Sequence, residues 1–428
     1  MEPSRRRWSI ALLLLLAATA LSYMDRLAFP IVFQRMKAAF TLSQEQYGQM
    51  MSLFLLAYGV MYAVGGRIMD LLGARLGYAV MIIWWSLATA LHGLVGGVVG
   101  LAVARVLLGA GEGGGFPGSA KAVAEWFPAK ERATAVGLFN VGSAIGMAVA
   151  APLSAVIVLS LGWQWVFYLM GIAGLVWAGV WVAAYRLPQS SGFANASHSN
   201  RVEAPMVGWL ELSKNRAMRS LLFARFLSEG AWYFLIFWLP KYLSEARGLE
   251  IKDVGLYAWV PYAFAGAGSL FGGWFSTMLM RWLSLSAARK VALGMAVSVM
   301  PFAALIDQSP LSWAIVFYSL PMLGHQFWST ILQTLPADLF PSSAVGTAAG
   351  LLGAVGTLGA AIFSLIAGSM LAWTGGNYGA VFLVAGLIHP LSFLVVLLTV
   401  GRIEGQELRA QVPPAGDASP AVPQTTIA

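Results

Sequence analysis

Apolar stretches of the length that crosses a lipid bilayer recur along almost the whole of this 428-residue chain. A helix needs about 20 mainly apolar residues to span the hydrocarbon core. Windows of that length predict an all-α membrane protein with twelve membrane-spanning helices, numbered here as spans 1 to 12. They fall at 10–33, 47–69, 78–97, 100–122, 134–159, 163–185, 217–243, 253–279, 289–306, 310–335, 344–372 and 377–400.

The composition excludes several classes of protein. Only 10% of the residues are charged and 59% are hydrophobic, whereas a soluble domain carries about 25% charged residues. Cysteine is absent, which excludes disulfides, thiolate zinc sites and cysteine nucleophiles. The net charge of +8 could indicate nucleic-acid binding, but basic residues in a membrane protein set its orientation. We therefore expect the bilayer as a partner, and no nucleic acid.

A polar stretch divides the chain into two sets of six spans. Residues 186–216 are rich in serine, asparagine, lysine and arginine, and the tail beyond residue 400 is rich in proline. The predicted organisation is a first six-helix bundle over 1–185, a cytoplasmic linker over 186–216, a second bundle over 217–400 and a disordered tail over 401–428.

The distribution of basic residues predicts the orientation. With the N-terminus in the cytoplasm, 18 of the 26 Lys and Arg residues fall on the cytoplasmic side and 5 on the outer side. Such a bias is typical of cytoplasmic loops. It predicts that both termini lie in the cytoplasm of a multi-pass protein of a bacterial-type inner membrane.

Six charged residues lie inside the predicted spans and away from their ends. Each costs about 2.5–3.5 kcal/mol at the centre of a lipid-exposed helix, so they must face a wet cavity or one another. Intramembrane ionisable residues are functional by default, and structural ion pairs are the alternative. The six are Asp25, Arg26, Arg105, Glu112, Arg225 and Glu229.

The spacing of these residues pairs cations with anions. Arg105 and Glu112 are two helical turns apart on one face of span 4, about 10 Å along the axis. Arg225 and Glu229 share a face of span 7. Arginine keeps its charge and can hold a carboxylate through two N–H groups, while a poorly hydrated Asp or Glu can carry a proton at physiological pH. The pattern favours an anionic substrate and proton coupling.

Aromatic and histidine side chains near the middle of spans are further cavity candidates, although packing explains any single aromatic residue equally well. His325, beside Gln326 in span 10, has either a proton or substrate role or a helix–helix hydrogen bond. His92 and His389 are interpreted as lying near span ends and are predicted to be structural. The aromatic candidates are Tyr23, Tyr58, Trp232, Tyr233, Tyr262 and Trp328.

Glycine pairs at small-xxx-small spacing, such as Gly109 and Gly113, indicate close helix packing. The glycine run 111–115 is not preceded by a strand, so it does not indicate a nucleotide site.

The loop after span 2 resembles the loop motif of the major facilitator superfamily, Gly-x-x-x-Asp-Arg/Lys-x-Gly-x-Arg/Lys. The matching segment is GRIMDLLGAR at 66–75, and it departs from the motif at Leu71, where the family usually has a basic residue. In that family the motif pins the cytoplasmic ends of helices in the outward-facing state. The resemblance therefore implies that Asp70 and Arg75 are gating residues.

Further segments resemble the anion:cation symporter branch of that superfamily, which includes galactonate, glucarate and hexuronate carriers, and most of all the hexuronate carriers. The likeness covers the chain except both termini. The segments are YMDR at 23–26, RVLLGAGE at 105–112, EWFPAKER at 125–132, FNVGS at 139–143, RFLSEGAW at 225–232 and HQ at 325–326.

The resemblance implies a substrate pocket between the two halves. Asp25 and Glu112 match the protonatable pair of the branch. Some hexuronate carriers lack the acid in span 1, whereas this chain keeps Asp25 as the galactonate carriers do, which leaves the substrate and the proton stoichiometry open. By the same resemblance the substrate is held by Tyr23, Arg26, Tyr58, Arg105, Asn140, Glu229, Trp232, His325, Gln326 and Thr357.

We therefore predict a monomeric proton-coupled symporter that imports a sugar acid such as glucuronate or galacturonate by alternating access, with protons as the coupling ion and no other cofactor. The alternative is a carrier of another small organic anion: an aldonate, an aldarate or a small aromatic carboxylate. A membrane enzyme or sensor is disfavoured. The chain shows no nucleophile–histidine–acid grouping at a common depth, no histidine-based metal spacing and no predicted extramembrane domain.

Overall fold

A computed structural model describes residues 3–127, 129–185, 209–340 and 342–403, and every regular element in these ranges is helical. Helices are found at all twelve predicted positions, which confirms the all-α membrane fold. The predicted linker and tail lie largely outside the described residues. The last part of the predicted linker forms a short helix, Trp209–Lys214.

The first six spans form long helices, two of which depart from the predicted limits. Spans 2 and 3 belong to one helical stretch that bends at Gly73, where φ is 70°, a conformation that favours glycine. Span 4 is interrupted at Gly113 and Gly114. The helices are Pro3–Phe40 for span 1, Gln44–Leu91 for spans 2 and 3, Val98–Glu112 and Gly115–Trp126 for span 4, Ala129–Leu161 for span 5 and Trp163–Ala184 for span 6.

The second six spans repeat this arrangement with other interruptions. Span 8 is divided at Ala258, and span 9 ends in a short 3₁₀ helix. The helices are Arg216–Glu245 for span 7, Ile251–Tyr257 and Trp259–Leu279 for span 8, Leu285–Ser298 and Met300–Leu305 for span 9, Leu311–Leu339 for span 10, Ser342–Trp373 for span 11 and Tyr378–Thr399 for span 12.

Within the described residues, eleven segments are long and apolar enough to cross a membrane. The twelfth position, span 10, has the length of a membrane helix but is more polar than the others. It carries His325, Gln326, Gln333 and Asp338. Polar residues at that depth are tolerated when they face protein or water instead of lipid.

The helices pack in two groups that meet along two seams. In the first half, span 1 packs on span 5, and the bent helix of spans 2 and 3 packs on spans 4 and 6. In the second half, span 7 packs on spans 11 and 12, and span 8 packs on span 10. Span 2 meets span 11, and span 5 meets span 8, across the two halves.

The small-xxx-small glycines lie where helices approach closely, as predicted. A Cβ atom added to Gly109 of span 4 would lie 2.2 Å from the carbonyl oxygen of Phe54 in span 2. One added to Gly142 of span 5 would lie 2.2 Å from the carbonyl oxygen of Leu16 in span 1. Contacts this close to backbone atoms cannot be relieved by a rotamer change, so these positions require glycine.

Replacing Gly109 with alanine is expected to lower the thermal unfolding midpoint of the detergent-solubilised protein. The added methyl group must push span 4 away from span 2, and such overpacking costs about 1–3 kcal/mol. Gly179→Ala is the matched control, because a Cβ atom added to Gly179 would have no atom of a neighbouring element within 4 Å. In such a helical position alanine favours the helix by about 1 kcal/mol. Equal midpoints for the two variants would contradict the packing assigned to Gly109.

Candidate functional site

Arg26 and Glu112 form a buried ion pair between spans 1 and 4. The Nε and Nη2 atoms of Arg26 donate to Oε2 of Glu112 at 2.9 and 2.8 Å, and the Ser22 hydroxyl donates to the same oxygen at 3.3 Å. Oε1 of Glu112 has no hydrogen-bond partner among the described residues. Oε2 of Glu112 thus accepts three hydrogen bonds, whereas Oε1 accepts none from the described residues.

Arg26 also contacts the second half of the molecule. Its guanidinium carbon lies 4.6 Å from the ring centre of Tyr23 and 4.8 Å from that of Tyr58. Its Nη1 atom donates to the hydroxyl of Tyr233 in span 7 at 3.3 Å. The structure thus brings Tyr23, Arg26, Tyr58 and Glu112 together, and it adds Tyr233, which sequence reasoning had noted only as a mid-span aromatic residue.

Arg105 is a fully buried cation that lacks an anionic partner at hydrogen-bonding distance. Its guanidinium lies over the rings of Phe29 and Phe54, at 4.8 and 4.9 Å, and Nη2 lies 3.9 Å from the sulfur of Met51. Among the described residues no atom accepts a hydrogen bond from its Nε or Nη1. Arg26 faces the same Phe54 ring at 5.5 Å, so two guanidinium groups share one aromatic wall.

Asp25 is buried beside this group, with a relative exposure of 1%. Its two carboxylate oxygens have no hydrogen-bond partner among the described residues. The indole N–H of Trp85 and the hydroxyl of Thr89 in span 3 interact with it, but neither completes a hydrogen bond. A buried carboxylate in this setting is costly while ionised, so Asp25 is suited to hold a proton.

Two glycines of span 4 allow the helix that carries Glu112 to pack closely against span 2. Cβ atoms on Gly109 and Gly113 would strike the carbonyl oxygens of Phe54 and Tyr58, at 2.2 and 2.4 Å. Their absence lets span 4 lie directly against span 2. The first helix of span 4 ends at Glu112 itself, so the carboxylate lies at the break in the span.

The predicted pair in span 7 is also formed. Nη1 of Arg225 lies 3.0 Å from Oε1 of Glu229, and it donates to the hydroxyl of Ser329 in span 10 at 2.8 Å. Nε2 of His325 lies 3.6 Å from the same oxygen of Glu229. The rings of Trp232 and His325 stack at 4.5 Å and 7°. Glu229, Trp232 and His325 are thus brought together by spans 7 and 10.

His389 extends this second group into span 12. Its Nε2 atom lies 2.8 Å from Nδ1 of His325, and its side chain is fully buried. The structure places His389 in the middle of the helix Tyr378–Thr399, away from the span ends where structural histidines were expected. Across the described residues, no group of three or more His, Cys, Asp or Glu side chains is arranged to hold a metal ion.

Three predicted substrate residues make no hydrogen bond to these two groups in the described part of the chain. Thr357 is buried, donates to its own helix at Gly353 and packs its methyl group near Gly59 of span 2. Gln326 is half-buried, and Asn140 is exposed. In the described part of the chain, no hydrogen bond joins the Asn140 or Gln326 side chain to either group, so their substrate roles stay predictions.

Residues of the loop motif after span 2 form hydrogen bonds to two other helices of the first half. Nε and Nη2 of Arg75 donate to the carbonyl oxygen of Val182 in span 6, at 3.2 and 2.8 Å. The Ala74 amide donates to Glu125 of span 4 at 3.3 Å. The side chain of Asp70 lies outside the described residues. The gating roles of Asp70 and Arg75 stay predictions.

Polar contacts join the two halves at the end of the molecule that carries the loop between spans 1 and 2. Lys37 of span 1 pairs with Glu245 of span 7 at 2.8 Å, and Gln44 of span 2 donates to Glu245 at 2.8 Å. Lys241 contacts both Gln44 and Glu245. These contacts join spans 1, 2 and 7 at this end.

Sequence reasoning missed Lys241 and Glu245 because they lie at the end of an apolar stretch, where charged residues are usually solvated. Lys241 is only 1% exposed. Their four-residue spacing was a usable signal, since it is the spacing of an ion pair on one helix face. It does not reveal the partners in spans 1 and 2, which only the tertiary contacts define.

Comparison with known proteins gives one family model and several related transporters that each cover most of the chain. Residues 15–364 match the family model described as Major Facilitator Superfamily. The hexuronate transporter of Escherichia coli K12 is 32% identical over 407 residues, which cover 91% of this chain and 93% of the relative. The D-galactonate transporter of Escherichia coli O6:H1 is 27% identical over 425 residues, covering 94% and 98%.

Among solved structures, a bacterial homologue of the human lysosomal transporter Spinster, described as inward-facing and unoccupied, aligns with a TM-score of 0.71. The alignment covers 94% of this chain and 95% of that chain at 20% identity. At this identity the likeness concerns the fold alone.

Proposed function

We propose that this chain, which belongs to the major facilitator superfamily, imports a sugar acid across the bacterial inner membrane together with protons. The observation that carries the proposal is the buried guanidinium of Arg105, whose Nε and Nη1 donors have no partner in the described structure. A buried cation without an anion at hydrogen-bonding distance is costly. A substrate carboxylate supplies the missing charge and hydrogen-bond acceptors.

The number of unpaired cations favours a monocarboxylate. Arg26 is held by Glu112, and Arg225 is held by Glu229, so Arg105 alone among the three intramembrane arginines has no carboxylate at hydrogen-bonding distance. A hexuronate such as glucuronate or galacturonate brings one carboxylate and several hydroxyl groups, which the tyrosines around Arg26 can hydrogen bond. The names of the relatives support sugar acids as the class.

Other organic anions are the alternative. An aldonate also brings a single carboxylate, and the similarity to the D-galactonate transporter keeps it open. An aldarate needs a second cation, which requires one of the two ion pairs to open. A small aromatic carboxylate would leave the hydroxyl partners unused.

Glu112 is the main proton carrier in this proposal, and Asp25 is the second. With Asp25 and Glu112 ionised, they balance Arg26 and Arg105. A bound substrate carboxylate adds one negative charge to this poorly hydrated group, and a proton on Glu112 restores neutrality. Protonation of Glu112 also loosens its hold on Arg26, which can then turn to the substrate.

Transport proceeds by alternating access of the central site to the two sides of the membrane. With both termini in the cytoplasm, the end at which Lys37, Gln44, Lys241 and Glu245 join the two halves is the outer end. The six-helix bundles over 1–185 and 217–400 rock against each other about the site, with 186–216 as their linker. The chain carries out this cycle as a monomer.

The orientation is tested with reporter fusions at Ser199 and after Arg409, in cells that express the full chain. Both fusions are expected to report a cytoplasmic location, because 18 of the 26 basic residues then lie inside. Fusion after Lys252, in the predicted outer loop before span 8, is the control and should report the periplasm. A periplasmic signal at Ser199 or Arg409 would contradict the twelve-span topology.

The function is tested with purified protein in liposomes. We expect an inward proton gradient to drive uptake of labelled glucuronate or galacturonate above its external concentration, and a protonophore to abolish this accumulation. Labelled glucose, which lacks the carboxylate, is the matched control and should not accumulate. If neither sugar acid exchanges across the membrane at any pH gradient while galactonate does, the hexuronate assignment is wrong. If no organic anion is carried, the proposed function is wrong.

A further inference from the structure

The second half contains a chain of hydrogen-bonding groups that the proposed proton sites in spans 1 and 4 do not use. It runs from Arg225 to Glu229 at 3.0 Å, from Glu229 to His325 at 3.6 Å and from His325 to His389 at 2.8 Å. Spans 7, 10 and 12 each contribute to it. Glu229, His325 and His389 are all buried, with exposures of 7%, 1% and 0%.

The contact between the two histidines restricts where their protons lie. A neutral imidazole has one N–H and one bare nitrogen. Because Nδ1 of His325 and Nε2 of His389 are 2.8 Å apart, one of them donates and the other accepts. The position of this proton determines which group His325 presents to Glu229.

Each of the two arrangements has a different consequence for Glu229. If His325 donates to His389, its Nε2 atom is bare and faces a carboxylate oxygen, which is favourable only when a proton lies between them. If His389 donates, the Nε2–H of His325 points at Glu229, and Nδ1 of His389 is left bare, with no hydrogen-bond partner among the described residues. The first arrangement therefore has room for one more proton between Oε1 of Glu229 and Nε2 of His325, whereas the second suits an ionised Glu229 that accepts from His325.

From this geometry we propose that Glu229, His325 and His389 form a second proton-binding site, in which His389 is a positioning residue that sets the tautomer of His325. A proton enters between Oε1 of Glu229 and Nε2 of His325. Nε2 of His325 takes it up and one new N–H bond forms there, while Nδ1–H of His325 keeps its hydrogen bond to Nε2 of His389. His325 becomes an imidazolium that faces the Glu229 carboxylate, and the three residues together gain one proton.

The gain of one proton changes the charge of the neighbouring arginine pair. Arg225 and Glu229 together are neutral while Glu229 is ionised, and the group becomes net positive when the proton is added. A net positive group attracts the substrate carboxylate, whereas the neutral pair does not. The attraction of the substrate rests on the proposed function, whereas the existence of the proton site does not.

The groups around Glu229 come from both halves of the molecule. In its own helix it meets Arg225, and Tyr233 acts on it electrostatically. Span 10 contributes His325, and span 11 contributes Gly356, where a Cβ atom would lie 2.8 Å from the Glu229 side chain. From the first half, Tyr23 and Tyr62 interact with it electrostatically. Arg225 is the cation at hydrogen-bonding distance from Glu229, and none of the groups named above is a second carboxylate. A proton added at Glu229 and His325 therefore gives this group a net positive charge.

The histidine content of the chain permits a direct test. There are only four histidines, so the purified full-length protein labelled with ¹⁵N-histidine gives few nitrogen signals, whose shifts distinguish the two tautomers and the imidazolium. His92 of the first half is the internal control. We expect His325 and His389 to respond to acidification in one common step in the absence of substrate, because their protonation is coupled.

Two variants test whether Glu229 and His389 control the protonation and tautomer of His325 or only support the fold. In Glu229→Gln the imidazolium signal of His325 should be lost over the pH range of that step, because the facing charge is gone. In His389→Gln, which keeps a hydrogen-bonding side chain, His325 should change from one dominant tautomer to a mixture. Independent titration of His325 and His389, or an unchanged His325 signal in Glu229→Gln, would overturn the second proton site.

A substrate measurement distinguishes this proposal from the proposed function. In weak buffer with a pH-sensitive dye, the unmodified protein is expected to take up about one proton more per bound glucuronate than Glu229→Gln does, since each proton restores the neutrality lost to a bound charge. Coupled histidine signals without glucuronate binding would leave the proton site standing and reject the hexuronate. Glucuronate binding with independent histidine signals would support the function and reject the second proton site.

Discussion

Arg105→Met is expected to abolish hexuronate binding while raising the thermal stability of the substrate-free protein. Methionine fills much of the same space but has no charge, so a bound carboxylate loses its partner, and an unpaired buried charge costs about 3–5 kcal/mol. This corresponds to a loss of affinity of about 100-fold or more. The measurement is the thermal unfolding midpoint as a function of glucuronate concentration.

The two opposite changes distinguish a substrate-binding residue from a structural one. In the free protein, Arg105 is fully buried with two donor nitrogens unpaired among the described residues, so its removal relieves a desolvation cost. A structural arginine would instead lower the midpoint when replaced. Arg281→Met is the matched control, because Arg281 is exposed, and it should leave glucuronate binding unchanged.

A conservative change tests the geometry of the same contact. Arg105→Lys and Arg26→Lys keep the positive charge but lose the planar two-donor edge that fits a carboxylate. Each is expected to weaken binding by about 10- to 100-fold, since hydrogen bonds to charged groups contribute about 1.5–3 kcal/mol. Unchanged affinity in both lysine variants would show that these arginines do not hold the substrate.

Glu112→Gln is expected to exchange labelled substrate across liposomes and yet lose accumulation driven by a pH gradient. Glutamine mimics the protonated acid, and it no longer binds and releases a proton in each cycle. With one coupled proton, a gradient of one pH unit supports about tenfold accumulation. We expect this to fall to about equal concentrations on both sides in the variant, as measured by uptake at steady state.

Matched variants make this result specific to Glu112. Glu45→Gln changes an exposed acid at the start of span 2 and should accumulate substrate as the unmodified protein does. Asp25→Asn should change the proton stoichiometry or the dependence on membrane potential, which contributes about 2.3 kcal/mol per 100 mV for each net charge moved. Full accumulation by Glu112→Gln would place the proton elsewhere, with Glu229 and His325 as the next candidates.

The sequence predicted which charged residues lie inside the membrane helices, but it did not predict which partners they contact. Arg105 and Glu112 share a helix face, and this spacing suggested that they act together. In the structure, Glu112 pairs with Arg26 of span 1 instead, and Arg105 has no carboxylate at hydrogen-bonding distance. Spacing within one helix predicts which side chains share a face. It contains no information on which neighbouring helix supplies the closer charge.

Histidines were harder to interpret than the charged residues. An intramembrane Arg or Glu is costly wherever it faces lipid, so its presence alone indicates a polar surrounding. A histidine can be neutral, and its cost is too small to indicate a role. His389 was taken as structural because it was placed near a span end, and only the tertiary structure shows that it meets His325 of span 10 at 2.8 Å.

The sequence alone determined the membrane fold and the chemical character of the site. Apolar runs of bilayer length leave helices as the structure that satisfies every backbone group in lipid, and six charges inside those runs require a shielded polar interior. The tertiary structure alone decided which charges are paired, which polar residues join the two halves and which arginine lacks an anion at hydrogen-bonding distance. These depend on contacts between residues far apart in the chain, such as Arg26 with Glu112 and Lys241 with Gln44, and local periodicity carries no information about them.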